Sequence, residues 1–209
     1  MKKLLVLLLA AFLPQTYTAD EAKTLLNNVS ILYKTYTDIQ ADFLLTIEVP
    51  DEDPKDVTGR LYLKGEKFRI EMDSMHIICD GDTIWNHLVD LKEVQINTYE
   101  PEEEDFTPDQ LFTLYNEKFL YRIKEKTTIS NVSYTIMELS PVDKKQPYFK
   151  IDMTVNPATN YISAFKVYEK NGVRSTYKIT AFNCTGKLAG SLFSFNPKDF
   201  PGVTVDDLR

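Results

Sequence analysis

Few residues in this chain have the chemistry for catalysis or metal binding, and they are scattered. His76 and His87 are its two histidines, and Cys79 and Cys184 its two cysteines. The histidines fall in separate alternating segments, with no cysteine or carboxylate at metal-ligand spacing, so they read as exposed strand histidines and no metal site is expected. Asp80-Gly81-Asp82 lacks the other ligand positions of a calcium loop and the pattern of a phosphate cradle, so it reads as a hairpin turn. There is no Gly-x-Ser-x-Gly segment, Gly-rich phosphate loop or Cys/His catalytic signature. The expectation is therefore a protein that is not an enzyme and carries no cofactor. Glu102, Glu103, Glu104 and Asp105 form an acidic run that reads as a solvated loop, with docking of a basic partner as the sharper alternative. The single cysteine pair is compatible with a bridge in an oxidising compartment, and equally with a buried free thiol at Cys79. Asn28-Val29-Ser30, Asn131-Val132-Ser133 and Asn183-Cys184-Thr185 fit the N-glycosylation pattern, which matters only in a eukaryotic secretory route.

With so little reactive chemistry, the elements themselves become the clue. From Gly59 to Ile96 apolar and polar residues alternate, broken at Lys64-Gly65 and Asp80-Gly81. Alternation means strands with one buried face, and Gly-containing breaks mean tight reversals. The same pattern predicts strands at about 41–49, 57–64, 67–73, 75–80, 83–88, 92–98, 120–127, 133–140, 147–155, 160–169, 173–183 and 192–196. Residues 156–160 read as a hairpin loop, and Asn171-Gly172 is the strongest short hairpin signal. Links this short make neighbours antiparallel, so about eleven strands are expected to follow one another as a meander. A sheet that long must curl, close or split.

Two helices stand outside the strand pattern. Asp20 to Tyr36 places Leu25, Val29, Leu32, Tyr33 and Tyr36 on one face. Thr107-Pro108-Asp109 starts a second, with Leu111, Phe112, Tyr115 and Phe119 on its apolar face. Each must bury that face, and the concave side of a curled sheet is the available place. Ahead of the first helix, Met1-Lys2-Lys3 and the apolar run Leu4–Leu13 read as a signal peptide, with cleavage after Ala19 or Thr18. Residues 20–209 are then a single exported domain. Its 43% hydrophobic and 26% charged content is that of a globular chain. The whole chain carries a net −7; losing Lys2 and Lys3 makes it −9. That balance argues against nucleic acid and against an anionic membrane surface.

Leu63-Lys64-Gly65-Glu66-Lys67-Phe68-Arg69-Ile70, followed by Cys79-Asp80-Gly81-Asp82-Thr83-Ile84-Trp85 and Val94-Gln95-Ile96, resembles the bacterial outer-membrane lipoprotein carrier family, LolA. Leu192-Phe193-Ser194-Phe195-Asn196-Pro197 and Pro201-Gly202-Val203-Thr204-Val205 are similar to that family's tail. The resemblance implies an incomplete β-barrel whose helices form a lid over an apolar cavity. It implies a periplasmic carrier, expected as a monomer, that takes acylated lipoproteins from an inner-membrane lipoprotein-releasing transporter to an outer-membrane acceptor. Alternatives on the same fold are a lipid or glycolipid carrier, or a lipoprotein-sensing regulatory module. Candidate lining residues for the acyl cavity are Phe43, Leu45, Ile47, Leu61, Leu63, Phe68, Ile70, Met72, Trp85, Phe149, Ile151, Met153, Phe165 and Val167. Lid candidates are Leu25, Val29, Leu32, Leu111, Phe112 and Tyr115, with Lys64 as a lid or entrance contact. Lys64-Gly65 stands where the family commonly has Arg-Pro, and that Arg helps hold the lid closed; Lys is a point donor without the Arg fork. Lys198-Asp199-Phe200 opens the tail's usual double Pro.

Overall fold

Period-two alternation is satisfied by one large sheet. The computed structural model describes residues 17–100 and 118–209. Within them the strands are β1 (Ile39–Glu48), β2 (Lys55–Lys64), β3 (Lys67–Met72), β4 (Met75–Cys79), β5 (Thr83–Leu88), β6 (Glu93–Thr98), β7 (Phe119–Ile129), β8 (Val132–Pro141), β9 (Tyr148–Asn156), β10 (Tyr161–Glu169), β11 (Arg174–Asn183) and β12 (Thr204–Asp207). Their order across the sheet is β12-β6-β5-β4-β3-β2-β1-β11-β10-β9-β8-β7. The sheet is curled and unclosed, with β12 and β7 at its edges.

Two expectations need correction. The strands do not follow one another in a single meander. β6 and β7 lie at opposite ends, and the two meanders β1–β6 and β7–β11 are joined where β1 pairs with β11. The join is antiparallel. The segment at 192–196 is not a strand: a 3₁₀ turn spans Gly190–Phe193, and Pro197 opens another at Pro197–Asp199. The strand forms further on, where β12 pairs parallel to β6, with Thr204 N–H donating to Lys92 O and Leu208 N–H to Ile96 O, both at 2.9 Å.

The helix α1 (Ala19–Lys34) matches the apolar spacing. Thr18 caps it, its hydroxyl accepting from Glu21 N–H at 3.2 Å. Its buried face is Ala22, Leu25, Leu26, Val29 and Tyr33. These join one core cluster that reaches from Ile84 on β5, through Leu61 and Phe68, to Ile123 on β7. α1 packs on the β7–β11 half, against β7 and, through Tyr33, against Ile162 and Phe182, and Phe182 pairs with Ala41 on the face that holds the core. The helix therefore lies on the concave side, and the second expected helix, with Leu111, Phe112 and Tyr115, falls outside the described residues.

Two local details shape this face. Phe43 lies so close over Gly59, its partner on β2, that a Cβ there would collide with the ring; only glycine leaves the ring that space. The β7–β8 reversal uses Ser130 (φ 49°) and Asn131 (φ 63°), a two-residue turn with both positions left-handed.

Candidate functional site

The register sorts the candidate lining residues by face, because directly opposite residues on paired strands project to the same side. Ala41 pairs with Leu61, Leu61 with Ile70, and Leu63 with Phe68. Across the join, Phe43 pairs with Ile179 and Leu45 with Tyr177; Tyr177 pairs with Phe165, and Phe165 with Met153. These residues thus share the helix side. Leu61, Leu63, Phe68, Ile151, Met153 and Phe165 are buried members of the core cluster, and Phe43, Ile70 and Val167 pack half-buried against it. Leu45 is buried and Ile47 half-buried on the same strand face. The open cleft of about 690 Å³ that touches Met72 and Phe43 is lined mainly from the convex side, by Asp42, Leu44, Thr58, Arg60, Glu71 and His76, so it is not an opening of the concave face.

Two candidates stand apart. Trp85 pairs with Ile78, and Ile78 with Arg69, which puts Trp85 on the convex side. There the C-terminal segment covers the sheet: Phe193 is 1% exposed, and Arg69 donates to Leu192 O at 3.4 Å. Phe149 is 46% exposed, its ring 6.2 Å from Tyr168 and 5.7 Å from the Arg174 guanidinium. The strand alternation around Phe149 could not show this, because a bulge between Tyr168 and Glu169 interrupts its pairing.

The helix over the concave face is fastened at both ends. Near its C-terminus the Tyr33 hydroxyl accepts from Ile162 N–H at 3.1 Å, and burial pushes Tyr33 up to about 12. Near its N-terminus Glu21 pairs with Lys126; the Tyr17 hydroxyl, which accepts from Lys126 N–H at 3.2 Å, precedes both expected cleavage points and leaves with the leader. Leu25 and Val29 are buried, whereas Leu32 is half-buried outside the core cluster. Lys64 does not reach the helix body. Its ammonium lies 3.4 Å from Asp38, in the link between α1 and β1, and donates to Leu188 O at 2.9 Å. Asp38 is 6% exposed, and its Oδ1 accepts no hydrogen bond, so its contact with Lys64 is an ion pair alone. Lys64 therefore ties the base of the lid helix to the C-terminal segment.

The histidines, read from the sequence as exposed residues of separate strands, are neighbours, and His87 is buried with His76 half-buried. His76 pairs directly with His87, with ring centroids 5.3 Å apart, and Phe200 lies 4.7 Å from His87. Burial holds both imidazoles below the ordinary histidine value. Hairpin registry alone brought them together, a signal that needed the exact Asp80-Gly81 turn to be read. Among the described residues no group of three or more His, Cys, Asp or Glu is placed to hold a metal ion. Cys79, which is buried, and Cys184 are not bridged.

A second open cavity of about 820 Å³ lies between α1, the β7–β8 hairpin and the β9–β10 loop. None of the fourteen lining candidates borders it; of the lid candidates, Leu25 does. It combines hydroxyl, amide and charged groups, and such a side pocket leaves no periodic mark in the strands.

A curled, unclosed sheet wrapped on one helix is therefore the frame. The family model for the outer membrane lipoprotein carrier protein LolA matches residues 34–196. The chain belongs to the LolA family. LolA-family architecture is also seen in an uncharacterized conserved protein from Thermus thermophilus, 13% identical, with a TM-score of 0.59 over 88% of this chain and 98% of that one. A domain from Vibrio parahaemolyticus, described as a candidate outer membrane lipoprotein-sorting protein, is 12% identical, with a TM-score of 0.52 over 88% of this chain and 99% of that one. At such identities these two likenesses speak for the fold. No match is found among curated proteins. At family level the LolA fold makes this a lipoprotein- or lipid-binding module of the periplasmic kind. No helix among the described residues is long and apolar enough to cross a membrane.

Proposed function

We propose that this LolA-family chain is a periplasmic, non-enzymatic carrier that shelters lipoprotein acyl chains and hands lipoproteins to the outer membrane. A 16-carbon chain left in water costs on the order of 12 kcal/mol, at roughly 0.8 kcal/mol per CH₂. A carrier must offset most of that and still let go. The observation that carries the reading is the concave apolar face under a helix that packs on it by an apolar stripe and is tied at its ends by Tyr33–Ile162 and Glu21–Lys126. Lifting that helix exposes the face without unpairing a strand, and acyl chains can take the place of the stripe, which suits reversible loading. The inner-membrane releasing transporter and the outer-membrane acceptor are the partners this reading requires.

The test is native mass spectrometry of protein recovered from the periplasm. Co-purified acylated protein supports the carrier. Free lipid or glycolipid in its place overturns lipoprotein carriage in favour of a lipid carrier. Paired substitutions Leu61→Asp and Phe165→Asp should abolish loading; unchanged loading would falsify the concave face as the cavity.

A further inference from the structure

The convex side carries a buried pair that neither the apolar face nor the helix uses. Two residues on from Trp85, His87 projects to that side, and a row of directly opposite residues runs through it: Arg60 on β2, Glu71 on β3, His76 on β4, His87 on β5 and Val94 on β6. His87 is 5% exposed and His76 half-buried, and the Nδ1 atom of each is buried with no hydrogen-bond partner. Outward-facing strand residues this buried need a cover, and the C-terminal segment supplies it. Phe200 lies 4.7 Å from the His87 ring and stacks on Phe195, with centroids 5.1 Å apart.

That cover is anchored at its ends. On one side Phe193 is buried, and on the other β12 pairs with β6. Between them, residues 194–203 close their hydrogen bonds within the C-terminal segment. Ser194 Oγ donates to Ser191 O, Lys198 N–H to Asn196 Oδ1, Asp199 N–H to Asn196 O, Phe200 N–H to Pro197 O and Val203 N–H to Phe200 O. Among the described residues, lifting this flap breaks no hydrogen bond to a strand.

A proton on the pair works against the closed flap. An imidazolium donates from both nitrogens, and the closed site offers Nδ1 no acceptor. The groups facing the pair do not provide one. β3 presents Glu71 opposite His76, but Glu71 already accepts from Arg69 at 2.7 Å, and Arg69 adds a like charge. β2 presents Arg60, itself paired with Asp42. β6 presents the apolar Val94, and the flap presents Phe200, with Lys198 and Asp199 exposed. Each histidine also faces the other, so a first charge opposes a second. Water is the remaining acceptor, and the flap is the element that can admit it while the strands stay paired. Burial holds both imidazoles below 6.5 when the flap is closed; opening relieves that burial. The open flap therefore binds more protons, and acid favours it. We propose that the His76–His87 pair is an acid-sensitive latch: proton uptake lifts the flap at 194–203 and exposes Phe195 and Phe200, while Phe193 and β12 hold its ends. The device goes beyond the carrier reading and does not rest on it.

The test is solution NMR of the purified exported chain, whose two histidines give two sets of imidazole signals. Well above pH 6.5 the ring-to-ring nuclear Overhauser contact between His87 and Phe200 should be present. It should vanish as His87 titrates, with the β8 and β9 amides still protected from exchange. Glu71→Gln removes the acid opposite His76, so the midpoint should move to lower pH. Phe200→Ala uncovers His87, so its titration should move up toward 6.5. In the double variant His76→Gln, His87→Gln the Phe195 and Phe200 ring signals should no longer respond to acid. A contact that survives protonation of His87, a midpoint unmoved in both single variants, or ring signals that still shift in the double variant overturns the latch. Loss of the contact only together with β8–β9 protection also overturns it, because acid then acts on the whole fold. Acyl-probe binding is a separate measurement, so the carrier reading stands or falls apart from these outcomes.

Discussion

The β8–β9 floor and the β3–β4 wall of the concave face are written in the same alternating code but are packed differently. Met137, Leu139, Ile151, Met153 and Val155 are each 0% exposed beneath α1. On the wall, Phe68 and Cys79 are buried like the floor, but Ile70 and Ile77, the next pair along the same face, pack only half-buried against the cluster. The difference comes from where the one described helix lies: α1 contacts β7, beside the floor, and among the described residues no element covers the wall as fully. A closed floor supplies stability, whereas an incompletely covered wall has apolar surface left to offer a ligand. Burial, and not sequence pattern, therefore separates residues that hold the fold from residues available to cargo.

The sharpest way to break this comparison is to truncate one residue on each side. Ile151→Ala should cost about 2–5 kcal/mol in urea unfolding, because the floor cannot collapse around the cavity left behind. Ile70→Ala should cost less than half as much while weakening acyl-probe binding more. If the two variants lose stability equally, floor and wall are one core and the distinction fails. A step smaller is Tyr33→Phe, which leaves the Ile162 N–H without its acceptor at a buried site and should cost about 1–3 kcal/mol. Protection of the helix amides against hydrogen exchange should drop with it, while β8 and β9 stay protected. Next, Lys64→Met strips the buried Asp38 carboxylate of its ion pair. Because Lys64 is half in solvent, the expected loss is only about 1 kcal/mol, read from the urea midpoint, and Lys64→Arg should restore it.

The smallest expected effect is on pH. His76 and His87 are held below the ordinary value of 6.5, chiefly by burial; Arg69 adds to this at both, and Glu71 opposes it at His76. An unfolded chain therefore takes up protons that the folded one resists. Stability should be full above pH 6.5 and fall as the pH drops through that value toward the lower folded values. The double variant His76→Gln, His87→Gln should flatten that part of the stability profile. An unchanged slope would place the acid sensitivity elsewhere.

Much of the sheet was legible because period two is a local property. Alternation along Phe43–Ile47 or Ile151–Met153 marks which residues share a face, and Asn171-Gly172 supplies the left-handed Gly172 that its hairpin needs. The spacing of Leu25, Val29 and Tyr33 likewise announces α1. What alternation cannot show is which side of the sheet a face ends on once strands are joined across the chain. Trp85 alternates as well as Phe68 does, yet its register places it under the C-terminal segment. The expected strand at 192–196 failed for a related reason. Phe193 is drawn into a buried place on the convex side, and the pairing strand forms later, at Thr204–Asp207.

By itself, then, the order of residues determined the elements: which segments extend, where they turn, which stripe of the helix is apolar, and how little reactive chemistry there is to place. These follow from backbone sterics and side-chain periodicity within a few residues. Only the tertiary structure decided that β1 meets β11, that His76 faces His87, that Lys64 reaches Asp38, and that a cavity forms between α1, the β7–β8 hairpin and the β9–β10 loop. Each of those depends on residues well separated along the chain, brought together by hydrophobic burial, which acts on the whole sheet and helix at once and is non-directional.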